Sequence, residues 1–403
     1  DDELARAFRT KTTPDSEIVP VDALERAFKV LKAVEVTVKA MGLAPDVGQL
    51  RQQALALRVN YEKGSEAQKT AYLAVASALV RHHFGVDPYK TQLLTTILLL
   101  DRKLLTSESP KTTYRGLYAQ IGTGEGKSLI TAMFAPCLVA QGHSIDIMTS
   151  NNYLAERDQL KFKEYFSDLG CQGSHFQFQS QKNRFVPEAN IIFTTCEDRI
   201  FEFLTLRSLA YKNMRIRSPR DIAIIDEADL ALLPSQLELC RTSIGTTEDV
   251  PVNLISDFLK FTSDYGSEKI RGNMRQAVDD FRASCSGAHE LSDLRIACYL
   301  YSTTELPRYQ LFVHYVKRNG KIVVVDNANS GRLQNTQWLH GLNRFIAQRE
   351  GLRIPPSPYL AAQMSRALFL GEYRNGVFCI SGTMGDRYER KEVRWAHNLR
   401  GFD

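Results

Sequence analysis

Cysteine is scarce in this sequence, and no two cysteines form a C-x-x-C motif. The seven cysteines are scattered along 403 residues and are odd in number. A disulfide framework or a redox motif needs paired, closely spaced cysteines, so neither is expected. We interpret the cysteines as reduced residues of the core, which is typical of a cytoplasmic protein.

The sequence also lacks an apolar run long enough to cross a membrane. The stretch TQLLTTILLLDRKLL, Thr91 to Leu105, is too short and ends in charges, so it predicts a buried helix. No signal-peptide pattern opens the chain. We therefore expect a cytoplasmic protein, although export into another cell stays open. The first residue is not methionine, which leaves open whether the chain is part of a longer protein.

The charge is mildly positive and lacks a dense basic stripe. A net charge of +5 permits contact with phosphates or an acidic partner, but it does not by itself indicate nucleic-acid binding. There are no internal repeats and no low-complexity tracts. A hydrophobic content of 43% is ordinary for a globular protein, and the length suits two or three domains.

The pattern of apolar residues divides the chain into four parts. Residues 1–112 have helical spacing, whereas residues 113–234 alternate helical stretches with short apolar runs. Residues 235–339 form an expected insertion lobe, and residues 340–403 return to the first pattern. Apolar runs without polar alternation predict strands buried on both faces, and their alternation with helices predicts an α/β fold with a parallel sheet. These runs are GLYAQI, SIDIMTS, ANIIFTT, DIAIIDEAD and GVFCISGT.

The stretch LYAQIGTGEGKSLITA resembles a phosphate-binding loop in which Ile121 replaces the usual first glycine. Gly124 and Gly126 allow the backbone to turn so that successive N–H groups point at one anion. Lys127 would reach the β- and γ-phosphates, and the Ser128 hydroxyl could ligate Mg²⁺. A tight strand-to-helix turn with an incidental Lys-Ser pair is the alternative interpretation.

The run IAIIDEAD places Asp226 and Glu227 directly after a buried strand. Strands of a parallel sheet carry ligands at their carboxyl ends, where the phosphate loop also lies. An aspartate there can hold Mg²⁺ through water, and a neighbouring glutamate can polarise the attacking water. Acidic residues also commonly cap helices after strands, so the assignment depends on both motifs being present.

The order of the motifs resembles that of SecA, the ATP-driven preprotein translocation motor. The family has a phosphate loop without the first glycine, and a V-D-E-V-D segment where this chain has IIDEAD. Further segments with the family's pattern are VDPYKTQLL, TSNNYLAERD, NIIFTTCEDRIFEFL, YVKRNGKIVVVDNANSGR, LHGLNRFIAQREGLRI and CISGTM. The resemblance implies a P-loop RecA-like parallel sheet with helices on both faces, a helical N-terminal extension and a small α/β insertion lobe.

The resemblance also implies a role for each matching residue. Gln92 would hydrogen-bond the adenine of ATP or ADP, and a phosphate-binding loop would run from Thr123 through Gly124, Glu125, Gly126 and Lys127 to Ser128. Ser128 and Asp226 would hold Mg²⁺.

Three further roles follow from the same resemblance. Glu227 would orient the hydrolytic water, and Arg157 would lie near the γ-phosphate, although a surface salt bridge explains that arginine equally well. Ser381 and Thr383 would couple nucleotide state to domain movement.

The lobe at residues 235–339 resembles a shortened preprotein-binding domain. Asn319-Gly320 between two β-rich runs predicts a hairpin in it. In the family this domain contacts the transported polypeptide, so the lobe is expected to bind a polypeptide or protein partner. A structural lid is the alternative, and contact with a membrane or translocon is undecided.

The departures from the family leave the enzymatic activity open. No segment matching the second RecA-like half, which supplies an arginine finger, is recognised in the sequence. Such a finger accelerates hydrolysis by about 10³ to 10⁵. Two functions therefore stay open. The chain is either a motor half that hydrolyses ATP slowly, or a module that binds a partner under nucleotide control without turnover. A DEAD-box RNA helicase fits less well, and no nucleic-acid partner is expected, because no basic-aromatic stripe is evident.

Overall fold

The computed structural model places the described residues in two compact units. One contains Asp1–Arg241 and Ala362–Asp403, and the other contains Thr242–Ala361. The residues that the structure describes are 19–42, 45–59, 65–105, 113–122, 124–177, 189–207, 221–232, 239–247, 250–326, 332–334, 338 and 341–402.

A seven-stranded parallel sheet forms the centre of the first unit. The strand order is β12-β1-β11-β5-β2-β4-β3, and every neighbouring pair is parallel. The strands are β1 (Gly116–Gln120), β2 (Ile145–Thr149), β3 (Gly173–His175), β4 (Ile191–Thr195), β5 (Ile222–Asp226), β11 (Val377–Ser381) and β12 (Leu399–Phe402). The expected α/β fold with a RecA-like parallel sheet is confirmed.

Helices cover both faces of this sheet. On β5, Ile224 lies in one hydrophobic core and Ile225 lies in the other. The same alternation separates Ile380 from Cys379 on β11. Since successive side chains of a strand point to opposite faces, each apolar run supplies both cores, which explains why these runs lack polar alternation.

The helices that precede β1 and two helices that follow it pack on one face of the sheet. The helices on this face are α1 (Val21–Ala40), α2 (Val47–Val59), α3 (Glu66–Phe84), α4 (Lys90–Leu100), α5 (Lys127–Ala140) and α6 (Asn152–Asp168). Every residue of α3 from Tyr72 to Val80 is buried, as is every residue of α4 from Gln92 to Leu100. These helices are apolar around much of their circumference because they pack among other helices.

The opposite face carries shorter helices. They are α7 (Cys196–Arg207), α8 (Ala228–Leu232), α14 (Arg366–Leu370) and α15 (Arg387–His397). On β2 the buried carboxylate of Asp146 accepts hydrogen bonds from Arg199 Nε at 3.0 Å and from the Tyr373 hydroxyl at 2.6 Å. This buried network ties α7 to the sheet, because a charge away from water requires partners.

The second unit combines helices with a small antiparallel sheet. Its helices are α9 (Val252–Tyr265), α10 (Ser267–Gly272), α11 (Met274–Ser284), α12 (Asp293–Glu305) and α13 (Leu342–Arg349). Its sheet has the order β7-β8-β9, with β7 (Tyr315–Arg318), β8 (Lys321–Asp326) and β9 (Arg332–Gln334). Asn319 and Gly320, at φ values of 52° and 71°, close the β7–β8 hairpin, as a two-residue turn of this type requires.

The second unit extends beyond the expected lobe boundary at residue 339. Helix α13, expected to belong to the return into the sheet unit, packs in the core of the second unit instead. Phe345 makes edge contacts with Phe258 and Tyr299, at centroid distances of 6.2 and 5.6 Å. The apolar side of this helix packs in the core of the second unit. The sequence pattern predicts an amphipathic helix, but it does not show against which core the helix packs.

Two longer strands, β6 (Leu239–Thr247) and β10 (Ser357–Ser365), lie where the chain passes from one unit to the other. Among the described helices, none combines the length and the apolar character that crossing a bilayer demands.

Candidate functional site

The loop between β1 and α5 has the backbone that an anion-binding turn needs. Gly124 and Gly126 have φ values of 88° and 75°, a region that side chains with a Cβ rarely adopt. Gly126 is the N-cap of α5, so the loop opens directly into a helix N-terminus. The Ile121 amide donates to the Ser381 carbonyl at 2.8 Å, which fixes the start of the loop to the end of β11. Thr123 lies outside the described residues.

The other loop residues face outward or lie half-buried. Gly124 and Glu125 are exposed, and Lys127 and Ser128 are half-buried at the first turn of α5. The helix N-terminus carries a partial positive charge, to which Lys127 adds a full one. The loop therefore presents a positive, accessible edge.

Gln92 is a structural support of this loop. Its side chain is 2% exposed, its Nε2 donates to the Glu125 carbonyl at 2.7 Å, and its Oε1 accepts from the Tyr89 amide at 3.0 Å. A Cβ on Gly126 would approach the same Nε2 to 2.4 Å, so a second constraint requires glycine there. Both ends of the Gln92 amide are thus engaged within the protein, and its contact with adenine stays a prediction.

Asp226 and Glu227 lie at the carboxyl end of β5. The Glu227 amide donates to Asp226 Oδ1 at 3.0 Å, and Glu227 has a φ of 55°. A glutamate in the left-handed region is uncommon and carries backbone strain, which tends to occur at functional sites. Ser150, just after β2, donates its hydroxyl to Glu227 Oε2 at 2.6 Å. The Glu227 carboxylate is therefore oriented by a neighbouring strand end.

The pKa of Asp226 shows that the two motifs meet. Burial, and to a smaller extent the negative charge of Glu227, raise this pKa to about 6, while the positive charge of Lys127 acts in the opposite direction. Lys127 and Asp226 are 99 positions apart in the numbering, yet they act on each other electrostatically because β1 and β5 end at the same edge of the sheet.

Arg157 is joined to this carboxylate group through its neighbour. Its guanidinium is half-exposed and pairs with Asp158, with Nε at 2.8 Å from Oδ1. Burial raises the pKa of Asp158, and the charge of Glu227 adds to the rise against the effect of Arg157. The structure thus places Arg157 beside the site, paired with a second buried carboxylate.

Ser381 and Thr383 both contact the last residue of the DEAD sequence. The Ser381 hydroxyl donates to Asp229 Oδ1 at 2.7 Å, and the Thr383 hydroxyl donates to Asp229 Oδ2 at 2.6 Å. The two carboxylate oxygens of Asp229 thus accept from the last residue of β11 and from the segment that follows it.

Sequence reasoning missed Ser150, Asp158 and Asp229. A signal existed for Ser150, because TSNNYLAERD has serine where the SecA pattern T-V-N-D-Y-L-A-x-R-D has valine. Asp158 and Asp229 both lie within the recognised motifs, but their contact partners depend on the order of the strands in the sheet.

The residues at this edge suit Mg²⁺ bound together with phosphates. Within the described part of the chain, no group of three or more His, Cys, Asp and Glu side chains could hold a metal ion. Mg²⁺ commonly takes one or two protein ligands and completes its shell with water and phosphate oxygens. Burial and the charge of Glu227 raise the pKa of Asp226, and a bound cation would favour its ionised form.

Comparison with known proteins agrees with this architecture. The family described as the SecA DEAD-like domain matches residues 19–392. The chain belongs to this SecA family.

A named relative shows how much of a SecA protein the chain represents. The "Protein translocase subunit SecA 2" of Corynebacterium jeikeium (strain K411) is 24% identical over 361 residues. The alignment covers 83% of this chain and 47% of the relative, so the chain spans about half the length of this curated SecA protein.

We expect Asp226→Asn to stabilise the ligand-free protein at pH 8. The raised pKa means that the folded state disfavours the ionised carboxylate, so the wild-type side chain lowers stability above pH 6. Asparagine keeps the acceptor for the Glu227 amide without the charge. The free energy of unfolding should rise by about 1–2 kcal/mol at pH 8, and the gain should shrink as the pH falls towards 4. Urea unfolding at several pH values measures it; a gain that is independent of pH would contradict the assignment.

Proposed function

We propose that the chain binds Mg-ATP or Mg-ADP between the β1–α5 loop and Asp226, as the nucleotide-binding part of a SecA-type motor. One observation carries the proposal: the left-handed glycine loop with Lys127 and the acidic end of β5 lie at one edge of the sheet and act on each other electrostatically. The membership in the SecA family supports it.

The backbone of Gly124–Ser128 and the Lys127 ammonium would bind the phosphates, and Thr123 is expected to contribute to the same loop. Ser128 and Asp226 would hold Mg²⁺, which supplies charge neutralisation on the phosphates when bound. Arg157 would contact the γ-phosphate, and its pair with Asp158 would then be exchanged for a phosphate contact.

Gln92 would act on nucleotide affinity by fixing the loop. Its bond to the Glu125 carbonyl holds the turn in the binding conformation before a ligand arrives, which lowers the ordering cost of binding.

Glu227 would orient and activate the attacking water, and Ser150 would position Glu227. The strained backbone and the 2.6 Å hydrogen bond keep the carboxylate in one orientation. Ser381 and Thr383 would report the state of this acidic segment, through Asp229, to the chain that follows β11.

The second candidate is a nucleotide-regulated binding module with negligible turnover, in which the second unit binds a polypeptide. The outer side of β7 at Lys317 favours it. The His314 carbonyl accepts a hydrogen bond from the Val325 amide at 2.9 Å. Because hydrogen-bonded and non-hydrogen-bonded pairs alternate along an antiparallel ladder, the Lys317 N–H points away from β8. No described strand pairs with that side of β7. An extended peptide could add there as a further strand.

Nucleotide binding should depend on Lys127. With Mg-ADP at about a hundred times its dissociation constant, the wild-type protein should gain about 2.7 kcal/mol of stability, which is a shift of a few degrees in melting temperature. Lys127→Ala should lose the shift. The exposed Lys29→Ala removes the same charge elsewhere in the unit and should keep it. An unchanged shift in Lys127→Ala would show that the loop is not the nucleotide site.

Glu227→Gln should preserve nucleotide binding and remove ATP hydrolysis, because it changes water activation and leaves the phosphate contacts. Ser150→Ala should preserve binding and slow hydrolysis by about tenfold, the value of one hydrogen bond to a charged group. In the Glu227→Gln background the Ser150 change should have no further effect. Equal loss of binding and turnover in Glu227→Gln would refute its role, and background turnover in the wild type would favour the second candidate.

Lys317→Pro tests the polypeptide site of the second unit. Proline removes the outward N–H and should leave the hairpin bonds intact. Lys317→Ala loses the same ion pair with Glu350 and is the matched control. Binding of a labelled, permanently unfolded protein should weaken in the proline variant only. Equal binding by the wild type and both variants would place the polypeptide site elsewhere.

A further inference from the structure

A cavity lies at the amino-terminal edge of the parallel sheet. Its volume is about 420 Å³, and its lining includes Arg115, Asn375 and Asn398. These residues lie just before β1, β11 and β12, respectively. Because the three strands are parallel, this cavity and the β1–α5 loop are at opposite ends of the strands. The cavity is therefore separate from the proposed nucleotide site.

The cavity concentrates positive charge. Arg102, Arg115 and Arg374 line it, and Arg400 lies beside it, with its guanidinium 5.8 Å from the centre of the Tyr114 ring. In the part of the chain that the structure describes, none of these four arginines forms an ion pair with a carboxylate. An anion bound here would neutralise part of this charge.

The nearby acidic side chains have other partners. Asp101, next to Arg102 in the chain, accepts from Arg26 at 2.8 Å. The carboxylate of Asp221 accepts from the Ser144 amide at 3.0 Å. Within the described residues, neither carboxylate forms an ion pair with an arginine of the cavity.

Hydrogen bonds within the protein hold the walls in place. Arg102 Nη1 donates to the Asn375 carbonyl at 2.7 Å, and its guanidinium lies over the Phe378 ring at 5.4 Å. Asn398, with a φ of 53°, donates its side-chain amide to the Thr113 carbonyl at 2.9 Å. Burial lowers the pKa of Arg102, which is the effect expected of a guanidinium without a neutralising partner. Arg102 and Asn398 are thus held by hydrogen bonds within the protein, whereas Arg115 and Arg374 are exposed.

We propose that this cavity is a binding site for a small, soluble, phosphate-bearing anion. Guanidinium groups bind phosphate oxygens through paired N–H donors, and three of the residues that line the cavity are arginines. The volume lies within the range of small-molecule sites. A compact anion fits this volume. The site does not depend on nucleotide binding at the other edge.

Titration calorimetry with inorganic pyrophosphate, in the Lys127→Ala background, tests the proposal. That background removes the phosphate-loop lysine, so binding reports on the cavity. Saturable binding at a stoichiometry of one is expected. Arg115→Ala/Arg374→Ala should weaken it by about tenfold or more, because both exposed arginines would lose charge-assisted hydrogen bonds. Lys29→Ala/Lys163→Ala removes the same charge from exposed positions on other helices and should leave affinity unchanged.

The outcomes separate the cavity from general attraction. Equal weakening in the arginine and lysine pairs would overturn the proposal in favour of non-specific electrostatics. Absence of saturable pyrophosphate binding in the Lys127→Ala protein would also overturn it. A flotation assay with phosphatidylglycerol vesicles distinguishes a soluble phosphate ligand from a lipid headgroup. Vesicle binding that depends on the arginines, without pyrophosphate binding, would assign the arginines to a lipid surface and overturn the proposal. With Lys127 intact, Arg115→Ala/Arg374→Ala should bind nucleotide with wild-type affinity. The cavity proposal and the nucleotide-site proposal can therefore fail independently of each other.

Discussion

The close backbone approach between β1 and β11 governs the rest of the sheet unit. At Gly116, a Cβ atom would lie 1.6 Å from the carbonyl oxygen of Val377, so only glycine permits this register. The register pairs Gln120 with Ser381, and β11 in turn pairs Ile380 with Asp226. The end of β1, the end of β5 and the segment after β11 are thereby set side by side, and each contributes one part of the proposed site.

At this edge the protein holds more negative charge than its surroundings favour. Asp226, Glu227 and Asp158 share a partly buried region, and burial is the main cause of the raised pKa of both aspartates. Arg157, Lys127 and the Ser150 hydroxyl offset part of this cost. Such unfavourable arrangements persist where a ligand resolves them, and the carboxylates here would be neutralised only when a cation or phosphate-bound metal arrives.

The parts that could be predicted were those fixed by local sequence. The phosphate loop depends on glycines that adopt positive φ, and the strands depend on apolar runs that serve two cores; both leave a pattern in consecutive residues. The environment of Gln92 could not be predicted in this way, because its partner Glu125 is 33 positions away and the contact exists only when α4 packs beside α5. The membership of α13 in the second unit is similar, since an amphipathic helix does not specify which core it joins.

The position of β11 in the middle of the sheet has a consequence for biosynthesis. Its partner strands β1 and β5 are made before the whole second unit, whereas β11 follows it in the chain. At ordinary rates of translation the ribosome needs on the order of tens of seconds to travel from β1 to β11. During that interval the inner edges of β1 and β5 lack their native neighbour. Unpaired strand edges are sites of aggregation, so the nascent chain should depend on chaperones most strongly just before β11 emerges.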